Sequence, residues 1–283
     1  MSAMAAEIIQ NHIFRKYLQD DLRNVDFPFF LQASVRFVLD LGIWIHPDAY
    51  QKLPIYEPLA YRDQNAQKPI DLRGQANPIS ALLIDDNSMV KNYATGKVVS
   101  SHKISYYQGK KMGSGFWACH IWDRLADGSL SNVDNSLFTF VPNLVWLPAE
   151  FSRLTDHVPL IKDVMKQLSL NLYKDVHFPN PDLKIIVENS WKKLLEINHN
   201  EIIPKNALPH IDEYNLMQIN DATIAKKVRR NKKYAEGLIE HGLGNLVPVD
   251  CQLHKYGRTI DLTNSTSALE VGTWLEGYLN VLP

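Results

Sequence analysis

A histidine and an asparagine in the middle of the chain are residue types that could assist hydrolysis. His120 ends the aromatic stretch GFWACH, and Asn143 stands in PNLVWLP. An imidazole can take a proton from water near neutral pH, so His120 is a candidate general base. A lone histidine on an aromatic strand is more often a packed or hydrogen-bonded residue, and that structural role stays open for His120.

Basic residues form a second group of candidates. The densest cluster reads KKVRRNKK, and its cations are Lys226, Lys227, Arg229, Arg230, Lys232 and Lys233. These positions cannot all share one face of a helix, so several point outward, to solvent or to phosphate. Lys110 and Lys111 precede a glycine turn, where they are either phosphate contacts or ordinary polar turn residues. Nucleic-acid binding and a solvated surface are the two readings of both clusters.

Residues 113–165 resemble the HNH nuclease family, which is built on a ββα-metal finger. In that resemblance His120, at the end of the first strand, is the general base. Asn143, with an apolar pair after it, is the central asparagine that holds the turn and orients the histidine. The metal-ligand position on the family's helix falls on Ser152, within LPAEFSRLTDH, a run similar to the family's proline-started helix.

The resemblance implies a divalent metal, Mg²⁺ or Mn²⁺. Two positions depart from the family's pattern, because Cys119 stands where Asp or His is common and Ser152 where His or Asn is common. Hard cations prefer carboxylate and water oxygens, so Asp123, Glu150 and Asp156 could compensate. Asp156 would share a helix face with Ser152. The expected metal ligands are therefore Asp156, Ser152 and Asp123.

Hydrophobic periodicity indicates the elements that position these residues. Helices are predicted for 4–24, for the apolar stretch after Pro28, and for the run that follows Pro148. Residues 52–80 indicate an irregular layer, and strands are predicted for 79–86 and 98–109. Further helices are predicted for 181–197, 221–242 and 265–280.

These elements predict an α+β fold. The ββα-metal finger (about 113–165) would lie between an N-terminal region of mixed helix and strand and a mainly helical C-terminal region. A composition change near 175–181 suggests two regions, 1–175 and 176–283, the second of which carries the basic helix.

Composition limits the function classes. The 283 residues are 45% hydrophobic and carry a formal net charge of −1, so any surface for nucleic acid must come from local clustering of cations. Cys119 and Cys251 are too few for a disulfide framework or a zinc site of four cysteines, which fits a reducing cytoplasm. No signal peptide or apolar stretch of membrane-spanning length is apparent, so a cytoplasmic protein without a membrane partner is expected.

The sequence thus predicts a metal-dependent endonuclease that hydrolyses phosphodiester bonds of double-stranded DNA, of a restriction or other defence type. The long flanks of the finger suggest target recognition or a homodimer. Two alternatives stay open: a non-catalytic DNA-binding protein that keeps the finger as a scaffold, and a protein–protein interaction module.

Overall fold

A computed structural model gives the described part of the chain. It covers residues 27–58, 82–84, 99, 102–110, 112, 115–122, 131, 134, 136–152, 158–195, 201–245, 258–260 and 265–283. Several predictions fall outside these residues: the helix 4–24, most of the irregular stretch 52–80, and the site residues Lys111, Asp123 and Asp156.

A four-stranded mixed sheet with strand order β3-β4-β1-β5 forms the centre of the fold. Its strands are β1 (Ile43–Ile45), β3 (Phe116–His120), β4 (Leu144–Pro148) and β5 (Asn215–Met217). Strand β4 is antiparallel to β3 and β1, whereas β5 is parallel to β1. All residues of β1 and β4 are buried, as expected of apolar strands covered on both faces. A second, two-stranded sheet pairs β2 (Leu82–Ile84) with β6 (Arg258–Ile260).

The helices, together with these sheets, make the fold α+β, as predicted. They are α1 (Phe27–Leu41), α2 (Pro47–Lys52), α3 (Pro159–Tyr173), α4 (Pro181–Leu195), α5 (Asp221–Gly242) and α6 (Ser265–Asn280). Buried aromatic rings join α2, α3 and α4. The ring of Tyr50 packs edge-to-face against Tyr173 at 5.0 Å, and its hydroxyl accepts a hydrogen bond from Trp191 Nε1 at 3.1 Å. The helices predicted to begin at residues 181, 221 and 265 are confirmed by α4, α5 and α6.

Two local predictions are wrong. The described part of 98–109 is not a strand but contains a 3₁₀ turn at Ser105–Tyr107, because Ile104 N donates to His102 Nδ1 (3.0 Å) and the Tyr107 ring turns into the core. The helix predicted to follow Pro148 begins instead at Pro159, since Pro148 ends β4 and residues 149–152 form a turn. Proline favours the first helical position in either case, so the sequence pattern alone does not choose between them.

Two glycines let α5 and α6 approach closely. A Cβ added to Gly272 would lie 2.8 Å from Leu238 Cβ, and one added to Gly242 would lie 2.6 Å from Leu269 Cβ. Either methyl group would overpack the interface. The helix pair is tied to the chain after α2 by Tyr278, whose hydroxyl donates to Ile55 O at 3.1 Å and accepts from Ile55 N at 3.0 Å.

Strand β5 joins the two regions predicted from composition. It follows the boundary at 175–181, yet it pairs with β1 in the register Ile43↔Asn215. The buried amide of Asn215 strengthens this pairing, because its Nδ2 donates to Leu39 O at 2.8 Å. Residues on both sides of the boundary thus contribute to one sheet. Within the described residues, none of the helices has the length and apolar character needed to cross a membrane.

Candidate active site

His120 lies at the end of edge strand β3, opposite Leu144 of β4. Its ring is half-buried and stacks on Phe138, with centroids 4.4 Å apart and planes at 13°. Its Nε2 is 2.9 Å from the carbonyl oxygen of Phe138. Because a carbonyl can only accept, Nε2 carries the hydrogen, and in the neutral ring the lone pair is on Nδ1. The nitrogen able to take a proton is therefore Nδ1.

The side chain of Asn143 fixes the loop that leaves His120. Asn143 is buried, and its Oδ1 accepts from the backbone N–H groups of Ile121 (3.1 Å) and Trp122 (2.7 Å). Its Nδ2 donates to Leu137 O at 3.0 Å. One amide thus joins the residues just after His120 to the residue just before Phe138.

Asp134 supports the turn that carries Phe138. Its backbone oxygen accepts from Phe138 N at 2.9 Å, and its carboxylate accepts from Ser136 N at 2.8 Å. Lys193 of α4 bonds the same carboxylate at 2.6 Å. Sequence reasoning missed this residue, although an aspartate two residues before a serine is the pattern of an Asx-turn.

Substitution of Asn143 by alanine is expected to destabilise the protein by about 3 kcal/mol, roughly 1 for each of its three hydrogen bonds. Urea unfolding followed by tryptophan fluorescence measures the loss. The exposed Asn245 provides a matched control, and Asn245→Ala is expected to change stability by less than about 0.5 kcal/mol. Equal unfolding midpoints for the two variants would contradict the role of Asn143.

Cys119 and Ser152, which stand where stronger metal ligands are expected from the sequence resemblance, lie together. Cys119 Sγ donates to Ser152 O at 3.2 Å, and Ser152 Oγ donates to Ala149 O at 3.0 Å. Both side chains are buried, and neither is the carboxylate that a hard cation prefers. In this arrangement Cys119 and Ser152 do not fit Mg²⁺ or Mn²⁺.

The expected pairing of Ser152 with Asp156 on one helix face is wrong, because Ser152 stands in a turn. Nor do the described residues contain any group of three or more His, Cys, Asp or Glu side chains that could hold a metal. Glu150, the third compensating carboxylate, accepts a hydrogen bond from Tyr107 at 3.0 Å. Asp123 and Asp156 belong to the part of the chain that is not described.

Lys110 contacts an exposed aromatic residue. Its Nζ lies 3.3 Å from the ring centroid of Tyr106, which is 66% exposed, and this geometry is that of a cation–π contact. The two side chains present a positive charge and an aromatic face at the surface, a combination that suits nucleic acid.

The basic cluster divides between two faces of α5. Lys226, Arg229 and Lys232 are exposed, and Lys233 is half-buried. Lys227 is buried and Arg230 is largely so, because about 100° of rotation per residue turns them to the side that faces Glu57. The prediction that these two residues contact phosphate is corrected: Lys227 and Arg230 form an internal ion-pair cluster.

Glu57 is fully buried between these two cations. Its carboxylate accepts from Lys227 Nζ at 3.0 Å and from an Arg230 guanidinium nitrogen at 2.5 Å. Lys227 also lies 3.9 Å from the ring centroid of Tyr56. Burial acts to raise the pKa of Glu57, but the attraction of Lys227 and Arg230 outweighs it and lowers that pKa; burial lowers the pKa of Lys227 to about 8. A single acidic residue in the apolar run IYEP was the only sequence signal for this cluster.

Comparison with protein-family models, with curated proteins and with solved structures gives no match to this chain.

Proposed function

We propose that this protein is a DNA endonuclease that hydrolyses phosphodiester bonds with His120 as general base. The observation that carries the proposal is the 2.9 Å contact between His120 Nε2 and the Phe138 carbonyl, which places the hydrogen of the neutral ring on Nε2 and its lone pair on Nδ1. Asn143 supports it, because its bonds hold the loop after His120 against the turn of Phe138. Such prior orientation of the base is what water activation needs.

In the proposed reaction His120 Nδ1 takes a proton from water as the water oxygen forms a bond to phosphorus. The bond between phosphorus and one sugar oxygen breaks, and that oxygen leaves and takes a proton from solvent water. The Phe138 carbonyl stays bonded to Nε2–H and stabilises the imidazolium that results. Cys119 and Ser152 have no part in this reaction. Asp123 and Asp156 are the remaining candidates for a divalent cation. Reaching both strands of a duplex would require a homodimer, whose mass can be measured by light scattering.

Plasmid cleavage tests this function directly. Wild-type protein is incubated with modified and unmodified plasmid in Mg²⁺, in Mn²⁺ and in EDTA, and nicked and linear products are separated on a gel. Cleavage that requires the metal is expected. If every plasmid stays intact under all three conditions, the endonuclease proposal fails.

The exposed cations of α5 supply the second part of the proposal, contact with DNA phosphates. The variant Lys226→Gln/Arg229→Gln/Lys232→Gln is expected to bind duplex DNA more weakly. Removal of one phosphate contact lowers the slope of log affinity against log salt by about 1. Fluorescence anisotropy at several salt concentrations measures both the affinity and the slope.

The matched control removes the same charge from other exposed lysines, in Lys184→Gln/Lys192→Gln/Lys205→Gln. This variant is expected to keep the wild-type salt slope. Equal slopes for the two triple variants would show that DNA does not contact α5.

A non-catalytic DNA-binding protein is the second candidate. The observation that favours it is that Cys119 Sγ donates to Ser152 O and Ser152 Oγ donates to Ala149 O, so these two positions hold a turn and offer no carboxylate to a hard cation. Tight, salt-dependent binding of DNA without cleavage in any metal would select this candidate.

A further inference from the structure

The chain segment 54–57 lies directly against the turn that orients His120. Tyr56 N donates to Thr139 O at 2.8 Å, and Glu57 N donates to Thr139 Oγ1 at 3.0 Å. Val141 N donates to Pro54 O at 2.9 Å, and Ile55 forms a bridge with Phe140. Thr139 is fully buried and follows Phe138, whose carbonyl bonds His120.

The other side of the segment holds both helices of the α5–α6 pair. The Glu57 carboxylate bonds Lys227 and Arg230 of α5. The peptide groups of Ile55 exchange hydrogen bonds with the Tyr278 hydroxyl of α6. All contacts except those of Arg230 are fully buried, so solvent does not weaken them.

A short series of direct contacts therefore joins α5 to the candidate base. It runs from Lys227 and Arg230 to Glu57, from Glu57 N to Thr139, and along the backbone to Phe138 and His120. The same two turns of α5 carry Lys226 and Arg229 on their outer side. Any displacement of α5 must strain the Glu57 contacts or move Thr139.

We propose that Glu57 is a positioning residue that fixes the exposed basic face of α5 relative to His120, so that a DNA backbone held by α5 presents a phosphate to the His120 ring. The contact with DNA rests on the function proposed above; the effect of Glu57 on His120 does not. Glu57 acts through Thr139 and Phe138 and touches no reacting atom.

Nuclear magnetic resonance of the imidazole nitrogens tests the effect without DNA. The His120 signals are identified by their loss in His120→Gln. In wild-type protein they are expected to show a single tautomer with Nε2 protonated. In Glu57→Gln those signals should shift or show a second tautomer. The same change is expected in Thr139→Val, a variant that keeps the ion pairs of Glu57 but removes the hydroxyl that accepts from Glu57 N. Lys226→Gln, on the outer face of α5, is the control and should match wild type.

Circular dichroism first establishes that each variant is folded. If Glu57→Gln does not fold, the test is made with Thr139→Val alone. Wild-type His120 signals in a folded Thr139→Val or Glu57→Gln protein would overturn the proposal, because a merely structural role lowers stability without changing the tautomer.

Addition of duplex DNA in EDTA completes the test. The DNA should shift the His120 signals of wild type but, at the same DNA concentration, not those of Lys226→Gln/Arg229→Gln/Lys232→Gln. If DNA binds wild type without any change in the His120 signals, the proposed placement of the basic face of α5 relative to His120 is wrong. Absence of all DNA binding would instead reject the proposed function, and the tautomer comparison would still decide the role of Glu57.

Discussion

Replacement of His120 by glutamine is expected to lower the rate of DNA cleavage by about 10²–10⁴-fold, the usual contribution of a positioned general base. Glutamine can still donate to the Phe138 carbonyl, but its amide has no basic nitrogen to replace Nδ1. The affinity for DNA should stay within about twofold of wild type, because the phosphate contacts are assigned to α5. Single-turnover cleavage and anisotropy separate the two effects.

His210 gives a matched control, since it is exposed and its ring bonds the neighbouring carboxylate of Asp212 at the surface. His210→Gln is expected to cleave at the wild-type rate. If His120→Gln also keeps the wild-type rate in a folded, DNA-binding protein, another group is the base and the assignment of His120 is wrong.

Glu57→Gln is expected to lower the free energy of unfolding by about 3–5 kcal/mol, because it removes the carboxylate that compensates two inward-facing cations. Glutamine keeps the size of the side chain, so the loss comes from charge and not from a cavity. Equilibrium unfolding in urea at neutral pH gives the value.

Two further variants test whether burial of charge causes the loss of stability in Glu57→Gln. Glu188→Gln removes an exposed partner of Lys184 on α4 and should cost less than about 1 kcal/mol. Addition of Lys227→Met to Glu57→Gln removes the buried ammonium as well and should recover part of the stability. A loss for Glu57→Gln no larger than that for Glu188→Gln would refute this account.

The pH dependence of stability has a defined sign for the same residue. The pKa of Glu57 is lower in the folded protein than its ordinary value of 4.5. The unfolded chain therefore binds the proton more readily, and the stabilisation by Glu57 is present above pH 4.5 and lost as pH falls through the folded pKa. Wild type should lose more stability than Glu57→Gln over this acidic range.

Short-range patterns carried the successful part of the sequence prediction. Helix α4 was predictable because Leu183, Val187 and Trp191 recur on one face, and all three are buried. The α5 helix was predictable for the same reason, and six cations in one run implied that several point outward. Which ones do so depends on Glu57, which is distant along the chain, and no local pattern contains that information.

The candidate site divides in the same way. The types of His120 and Asn143 and their local sequence suggested a site, but the role of Phe138 depends on a backbone carbonyl, which every residue possesses. The start of α3 at Pro159 could not be predicted either. Pro148 belongs to a strand because it pairs with Phe116, and this partner is distant along the chain. Where a residue's role depends on a partner distant along the chain, local periodicity cannot identify that role.

The parallel pairing of β1 with β5 has a consequence for biosynthesis. Ile43 emerges from the ribosome 172 residues before its partner Asn215 (215 − 43). Until then one side of β1 has no strand to satisfy its backbone, and such an unpaired apolar edge is prone to association with other chains. The nascent protein completes its central sheet only after Asn215 has been translated, and formation of this non-local pair is expected to be a slow event in folding.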